Sequence, residues 1–177
     1  MTAPATHHVT HHASRWWLLR DVLLVLAVFA AVGALAGLWW ELWWSPPTGL
    51  VVDHAWVPDA AGIRELFSGT ALYVVVGLTC GLLAGAGCAW FVDRVEMVTL
   101  VTVAAGSVLA AWLMLQVGTA LAPPDPAAVA ATAADGTRVD GTLRVQGDGA
   151  LVSLPAGALT GLVVVFVGLA PNRAYRG

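Results

Sequence analysis

The chain has no lysine, only two cysteines in 177 residues, and a charged fraction of 11%. An average soluble domain carries about 25% charged residues, so an ordinary water-exposed surface cannot be built from this composition. Nucleic acid is excluded as an expected partner, because a phosphate-binding face needs clustered basic charge and the net charge is −3. Cys80 and Cys88 lie eight residues apart in one apolar run. On a helix that is roughly 12 Å along the axis, too far for a disulfide, and they read as small hydrophobes.

The motifs of common enzymes are also missing. There is no Gly-rich phosphate loop with Lys, no HExxH and no GxSxG. No charged side chain falls near the middle of any apolar run, which disfavours proton relays, ion pathways and voltage sensing. From the residues, no catalytic, cofactor or metal site is assigned. The richest chemistry is Asp53-His54 with Asp59 and Glu65. A carboxylate and an imidazole can hold a metal or act as acid and base, but adjacent residues point different ways, so Asp53, His54 and Trp56 are read as contacts in an outer loop. A metal-dependent enzyme at the outer membrane surface is kept as a rival.

What is abundant is apolar sequence: 59% hydrophobic residues and a mean hydropathy of +0.80. Runs of about 20 apolar residues match the ~30 Å hydrocarbon core of a bilayer, and four are expected to span it, at about 22–40, 70–92, 97–121 and 154–170. The fold class is an all-α membrane protein, a four-helix transmembrane bundle in one domain. Small residues four apart mark faces where helix backbones approach closely: Gly33 and Gly37, then Gly77, Gly81 and Gly85, then Gly157 and Gly161. The Gly77–Gly85 face is assigned to a seam with span one or span three. Asp93–Glu96 makes so short a turn that spans two and three are expected to be antiparallel neighbours. Gln116 is read as a polar contact between helices.

Trp16-Trp17 at the start of span one, and Trp39, Trp40, Trp43 and Trp44 at its end, read as two aromatic belts at opposite membrane surfaces. Ala34-Leu35-Ala36 resembles a signal-peptide cleavage site, but the run continues to Trp40 and suits an anchor better. Residues 1–14, with His7-His8 and His11-His12, are read as a disordered cytoplasmic tail, its metal binding left open. The outer loops are 41–69 and 122–153. In the second, Val139, Gly141, Leu143 and Val145 alternate with Asp140, Thr142 and Arg144, a strand period flanked by turn signals at Asp135-Gly136 and Gln146–Gly149. This predicts a small extracytoplasmic β-ribbon over Ala128–Leu154, leaning on the first loop or on a partner. Ser153 is predicted to N-cap span four.

Orientation follows the arginines. Five (Arg15, Arg20, Arg94, Arg173, Arg176) lie on the side of the termini and three on the side of the long loops, which places both termini in the cytoplasm. Arg without Lys and abundant Ala, Val and Gly fit a GC-rich bacterial genome and hence a bacterial inner (plasma) membrane. The pattern Gly33-x-x-x-Gly37 with Trp39-Trp40, then Trp44-Ser45-Pro46-Pro47-x-Gly49-x-Val51-Val52, Phe67 before a glycine-rich span and a proline-broken second loop resembles an actinobacterial four-span family, domain of unknown function 2567. That resemblance implies architecture without a function. The expected partners are the lipid bilayer and a membrane or envelope protein. A non-enzymatic accessory or interaction role comes first, and a subunit of a homo-oligomeric transporter or channel second.

Overall fold

The structure, a computed structural model, describes residues 12–91 and 96–173. Four long helices dominate it: α1 (His12–Trp43), α2 (Gly62–Phe91), α3 (Glu96–Leu121) and α5 (Ser153–Arg173). All four are long and apolar enough to cross a membrane. The histidine pairs at 7–8 and 11–12 and the 93–96 turn lie wholly or mostly outside the described residues. Gly62–Phe67 forms the first turns of α2, which runs without a break into the second apolar run. Ala36 is buried within α1, which continues to Trp43 before Pro46-Pro47 interrupts it.

The helices associate as two tight pairs, α1 with α3 and α2 with α5. This corrects two expectations. The Gly77–Gly85 face meets α5, not span one or three, and α2 and α3 touch far less than their short connection implied. The contacts are backbone on backbone. A methyl group added at Gly81 would strike the Leu154 carbonyl oxygen, and one at Gly85 the Ala158 carbonyl oxygen. From the other side, Gly157 and Gly161 face the carbonyls of Leu78 and Leu82. Positions rise together along both helices, so the pair is parallel. In the second pair Gly33 meets the Ala110 backbone, and a methyl at Gly37 would lie 2.7 Å from the Met114 carbonyl oxygen. In lipid there is little hydrophobic drive between helices, and close approach of small residues supplies the dispersion and shape fit instead.

The two pairs meet around one apolar core that includes Phe29, Trp40, Tyr73, Met114 and Leu154. Trp40 is fully buried, with its indole N–H donated to the Gly69 carbonyl at 2.8 Å and its ring edge-on to Tyr73 at 4.9 Å. Tyr73 in turn donates its hydroxyl to the Ala111 carbonyl at 3.0 Å, which links α2 to α3. Trp40 therefore leaves the predicted aromatic belt and joins the core. Gly118 provides the space beneath its ring. Trp39 and Trp43 stay on the outer face of α1, edge to face at 5.2 Å. Gln116 is exposed near the end of α3, not buried between helices.

Both connections at the Trp43 end of α1 fold into one cap. β1 (Thr48–Val52) and β2 (Ala55–Pro58) form a hairpin, and β3 (Arg138–Asp140) pairs antiparallel on the other side of β1, giving the order β2-β1-β3. The ribbon predicted within 128–154 is thus a sheet shared by the two loops, to which the second loop contributes one three-residue strand. Residues 141–147 run on without a ladder, and a five-residue helix α4 (Pro126–Ala130) and a 3-10 turn at Asp148–Val152 complete the loop. Ser153 follows that turn with helical backbone, so it is not an N-cap. Its Oγ is buried without a hydrogen-bond partner among the described residues and stands 2.6 Å from where a Gly77 methyl would sit.

Candidate functional site

The cap gathers most of the polar chemistry of the described residues, and a crevice of about 670 Å³ opens beneath it. Its walls come from three places in the chain: the end of α1 with Trp44, the sheet and first turns of α2 with His54, Trp56 and Glu65, and the second loop with Arg144. The local structure explains each placement.

Asp53 and His54 are the two central residues of the β1–β2 hairpin, with φ of 49° and 57°. Positive φ at both positions defines a type I′ turn, which matches the right-handed twist of the strands but normally recruits Asn or Gly. The backbone N–H of His54 is donated to Asp135 Oδ1 at 3.3 Å, tying the hairpin tip to the second loop. Trp56 lies over Gly49 and Gly141, where no Cβ intervenes, and gives its indole N–H to the Val139 carbonyl at 2.9 Å. In the sequence Gly49 stood out only within the family-like pattern and Gly141 only as one position of a strand alternation; the Trp56 ring crowds the first, and Pro47 together with that ring crowds the second.

The suggested grouping of Asp53, His54, Asp59 and Glu65 does not form. Asp59 is the cap of α2: its Oδ1 accepts from the amides of Ala61 (3.0 Å) and Gly62 (2.7 Å), and its Oδ2 accepts the Thr48 hydroxyl at 2.9 Å. The Gly62 amide first, then the Thr48 hydroxyl, hold its carboxyl below the ordinary value of 3.8. Among the described residues no three His, Cys, Asp or Glu side chains converge as a metal-ligand set. Glu65 points elsewhere. It lines the crevice, and its Oε2 is buried with no hydrogen-bond partner among the described residues.

At the crevice rim Arg144 donates to Asp125 Oδ2 at 2.7 Å, a solvent-exposed ion pair. Asp125 also caps α4 through its Oδ1 and the Ala127 amide. The Gln146 backbone is anchored to α2 by the Thr70 hydroxyl at 2.9 Å. Arg144 was visible only as the polar side of a strand pattern, and Gln146 only as the start of a turn.

The chain matches no known protein family, curated protein or solved structure.

Below the cap the long helices offer little polar surface. The hydroxyls of Thr79, Thr102, Ser107 and Thr119 are each donated to a carbonyl three or four residues earlier on their own helix. Such bonds satisfy the group locally and leave no spare donor for a substrate or a neighbouring helix.

Proposed function

We propose that the chain is a multi-pass protein of a bacterial plasma membrane that works by interaction rather than catalysis, with both termini cytoplasmic and the cap displayed outward to an envelope protein. The observation that carries this reading is the outer face of the sheet. Leu50 and Val57 are direct cross-strand partners, Val52 stands one pleat further along, and all three are exposed (38%, 47% and 49%) on the part of the molecule remote from the tight helix seams. Apolar residues adjoining on a sheet face outside the lipid-facing belt are a feature of surfaces that dock other proteins. Arg138, opposite Leu50 on the third strand, adds a charged rim.

The locally bonded hydroxyls support an anchoring role for the helices in preference to a pore lined by them. Kinship with the four-span family named above is proposed on its pattern of turns, belts and small residues.

The test is a photo-crosslinking amino acid at Val57, with a lipid-facing control at Val164, in cells that produce the full chain. The reading expects a heteromeric product from Val57 that is absent from Val164. A product consisting only of two copies of this chain would favour the oligomeric transporter reading, and no product from Val57 would remove the docking face.

A further inference from the structure

We propose that the crevice beneath the sheet binds an organic ammonium group, held by the Glu65 carboxylate against walls supplied by Trp44 and Trp56. This goes beyond the docking reading and does not depend on it.

The argument begins with what Glu65 lacks. An ionised carboxylate only accepts hydrogen bonds, so a buried oxygen without a partner is short of a donor. Leaving such an atom desolvated and unpaired is costly. Among the described residues no cation reaches it: Arg144, on the same crevice, pairs with Asp125 at the exposed rim, and neighbouring Arg64 is exposed outside the lining. The lining holds two carboxylates, one guanidinium and the His54 imidazole; with Asp125 and Arg144 paired to each other, the Glu65 carboxylate is the group that a positively charged guest would answer. The two lining indoles, Trp44 and Trp56, suit the same guest, since a cation over such a ring gains from the quadrupole, more so when desolvated. Volume then separates a ligand from a lone water. The crevice, at about 670 Å³, lies within the ~300–1,000 Å³ typical of small-molecule sites and far exceeds the ~30 Å³ share of one water.

An ammonium of this kind has two sources, the ethanolamine headgroup of a phospholipid or a free soluble amine. For either, the ammonium would meet Glu65. A phosphate or other acid on the same molecule would fall toward the rim, where Arg144 can exchange Asp125 for it.

The experiment uses the full chain in a non-ionic detergent, titrated calorimetrically with phosphoethanolamine, and with 2-hydroxyethyl phosphate, which has a hydroxyl in place of the amine, as the control. Saturable binding of the amine and none of the hydroxyl compound is expected. Glu65→Gln, which keeps the shape and removes the charge, should weaken binding at least tenfold, whereas Arg64→Gln should leave it unchanged. Should Glu65→Gln fail to fold, Trp44→Leu is expected to weaken binding through the lost aromatic wall. Native mass spectrometry from bilayers of equal phosphatidylethanolamine and phosphatidylglycerol then assigns the source. Selective retention of the former means lipid, and its absence beside phosphoethanolamine binding means a soluble amine. No saturable amine binding, or equal affinity in wild type and Glu65→Gln, overturns the proposal.

Discussion

Gly81→Ala and Gly87→Ala make the same chemical change on the same helix, with opposite surroundings. At Gly81 the new methyl is aimed at the Leu154 carbonyl and lies within 3.0 Å of the Ala158 nitrogen. Both are helix backbone, which cannot swing aside as a side chain can. α2 and α5 must separate, and the neighbouring contacts at Gly77, Gly85, Gly157 and Gly161 loosen with them. Overpacking of this sort costs about 1–3 kcal/mol, and a rigid obstacle argues for the upper part of that range. At Gly87 nothing lies within 4 Å of the added carbon. The better helix propensity of alanine counts little for either variant if the helices persist when the bundle comes apart. Gly87→Ala should therefore stay within about 0.5 kcal/mol of wild type. The assay is reversible unfolding in mixed micelles of increasing dodecyl sulfate fraction, followed by near-ultraviolet tryptophan signals with far-ultraviolet helicity as the check. Equal midpoints for the two variants would refute the packing argument, because only the seam distinguishes them.

Trp40→Phe should cost about 1–3 kcal/mol by losing the indole bond to the Gly69 carbonyl and part of a fully buried ring, whereas Trp39→Phe on the outer face should fall within about 0.5 kcal/mol; the same micelle titration compares them. The Asp59 cap should be acid-sensitive. Its carboxyl is depressed in the folded chain, so its contribution is intact above the ordinary value of 3.8 and is lost as pH falls through the lower folded value; exchange protection of the Ala61 and Gly62 amides, corrected for intrinsic rates, should decline there in wild type and be low and pH-independent in Asp59→Ala. His54→Gly relieves a left-handed φ of 57° that costs a side-chain-bearing residue about 1–2 kcal/mol, offset in part by the greater freedom of glycine when unfolded. Slower exchange of the Val51 and Gly136 amides, which hold the hairpin to the second loop, would show the gain, and faster exchange would mean that the imidazole itself supports the cap.

The four helices were legible from their apolar runs, and α3 begins within one residue of its predicted start, whereas α1 and α2 begin earlier than theirs, at His12 and Gly62, because a helix continues through polar turns that an apolar run does not register. Glycines spaced by four were legible as packing faces, since the period marks a stripe. The stripe does not carry the identity of its neighbour. Gly81 meets a helix more than 70 residues away, and only the three-dimensional arrangement of all four helices selects α5 over the sequence neighbour α3. The tryptophans after Gly37 show a similar limit. Trp39 and Trp40 read alike in a belt, but one step of about 100° turns Trp40 into the core and leaves Trp39 outside. In the cap, the alternation over Val139–Val145 is a strand only at its start, Arg138–Asp140, and its partner was hidden because β1 lies in the other loop. The hairpin at Asp53-His54 escaped notice since it carries neither Asn nor Gly. The crevice was the least legible feature. Trp44, Glu65 and Arg144 come from three distant segments, and no local pattern joins them.

The central claim is that one face of this molecule carries its chemistry and that this face is presented outside the membrane, opposite the termini. Single cysteines at Ala60 and Thr132, both exposed on the cap, and at Thr6 near the N-terminus, in a chain with Cys80 and Cys88 replaced by alanine, would be treated with a membrane-impermeant maleimide in intact cells and after permeabilisation. The account predicts labelling at 60 and 132 in intact cells and at 6 only after permeabilisation. Labelling at 6 in intact cells, with 60 and 132 protected until permeabilisation, would contradict it.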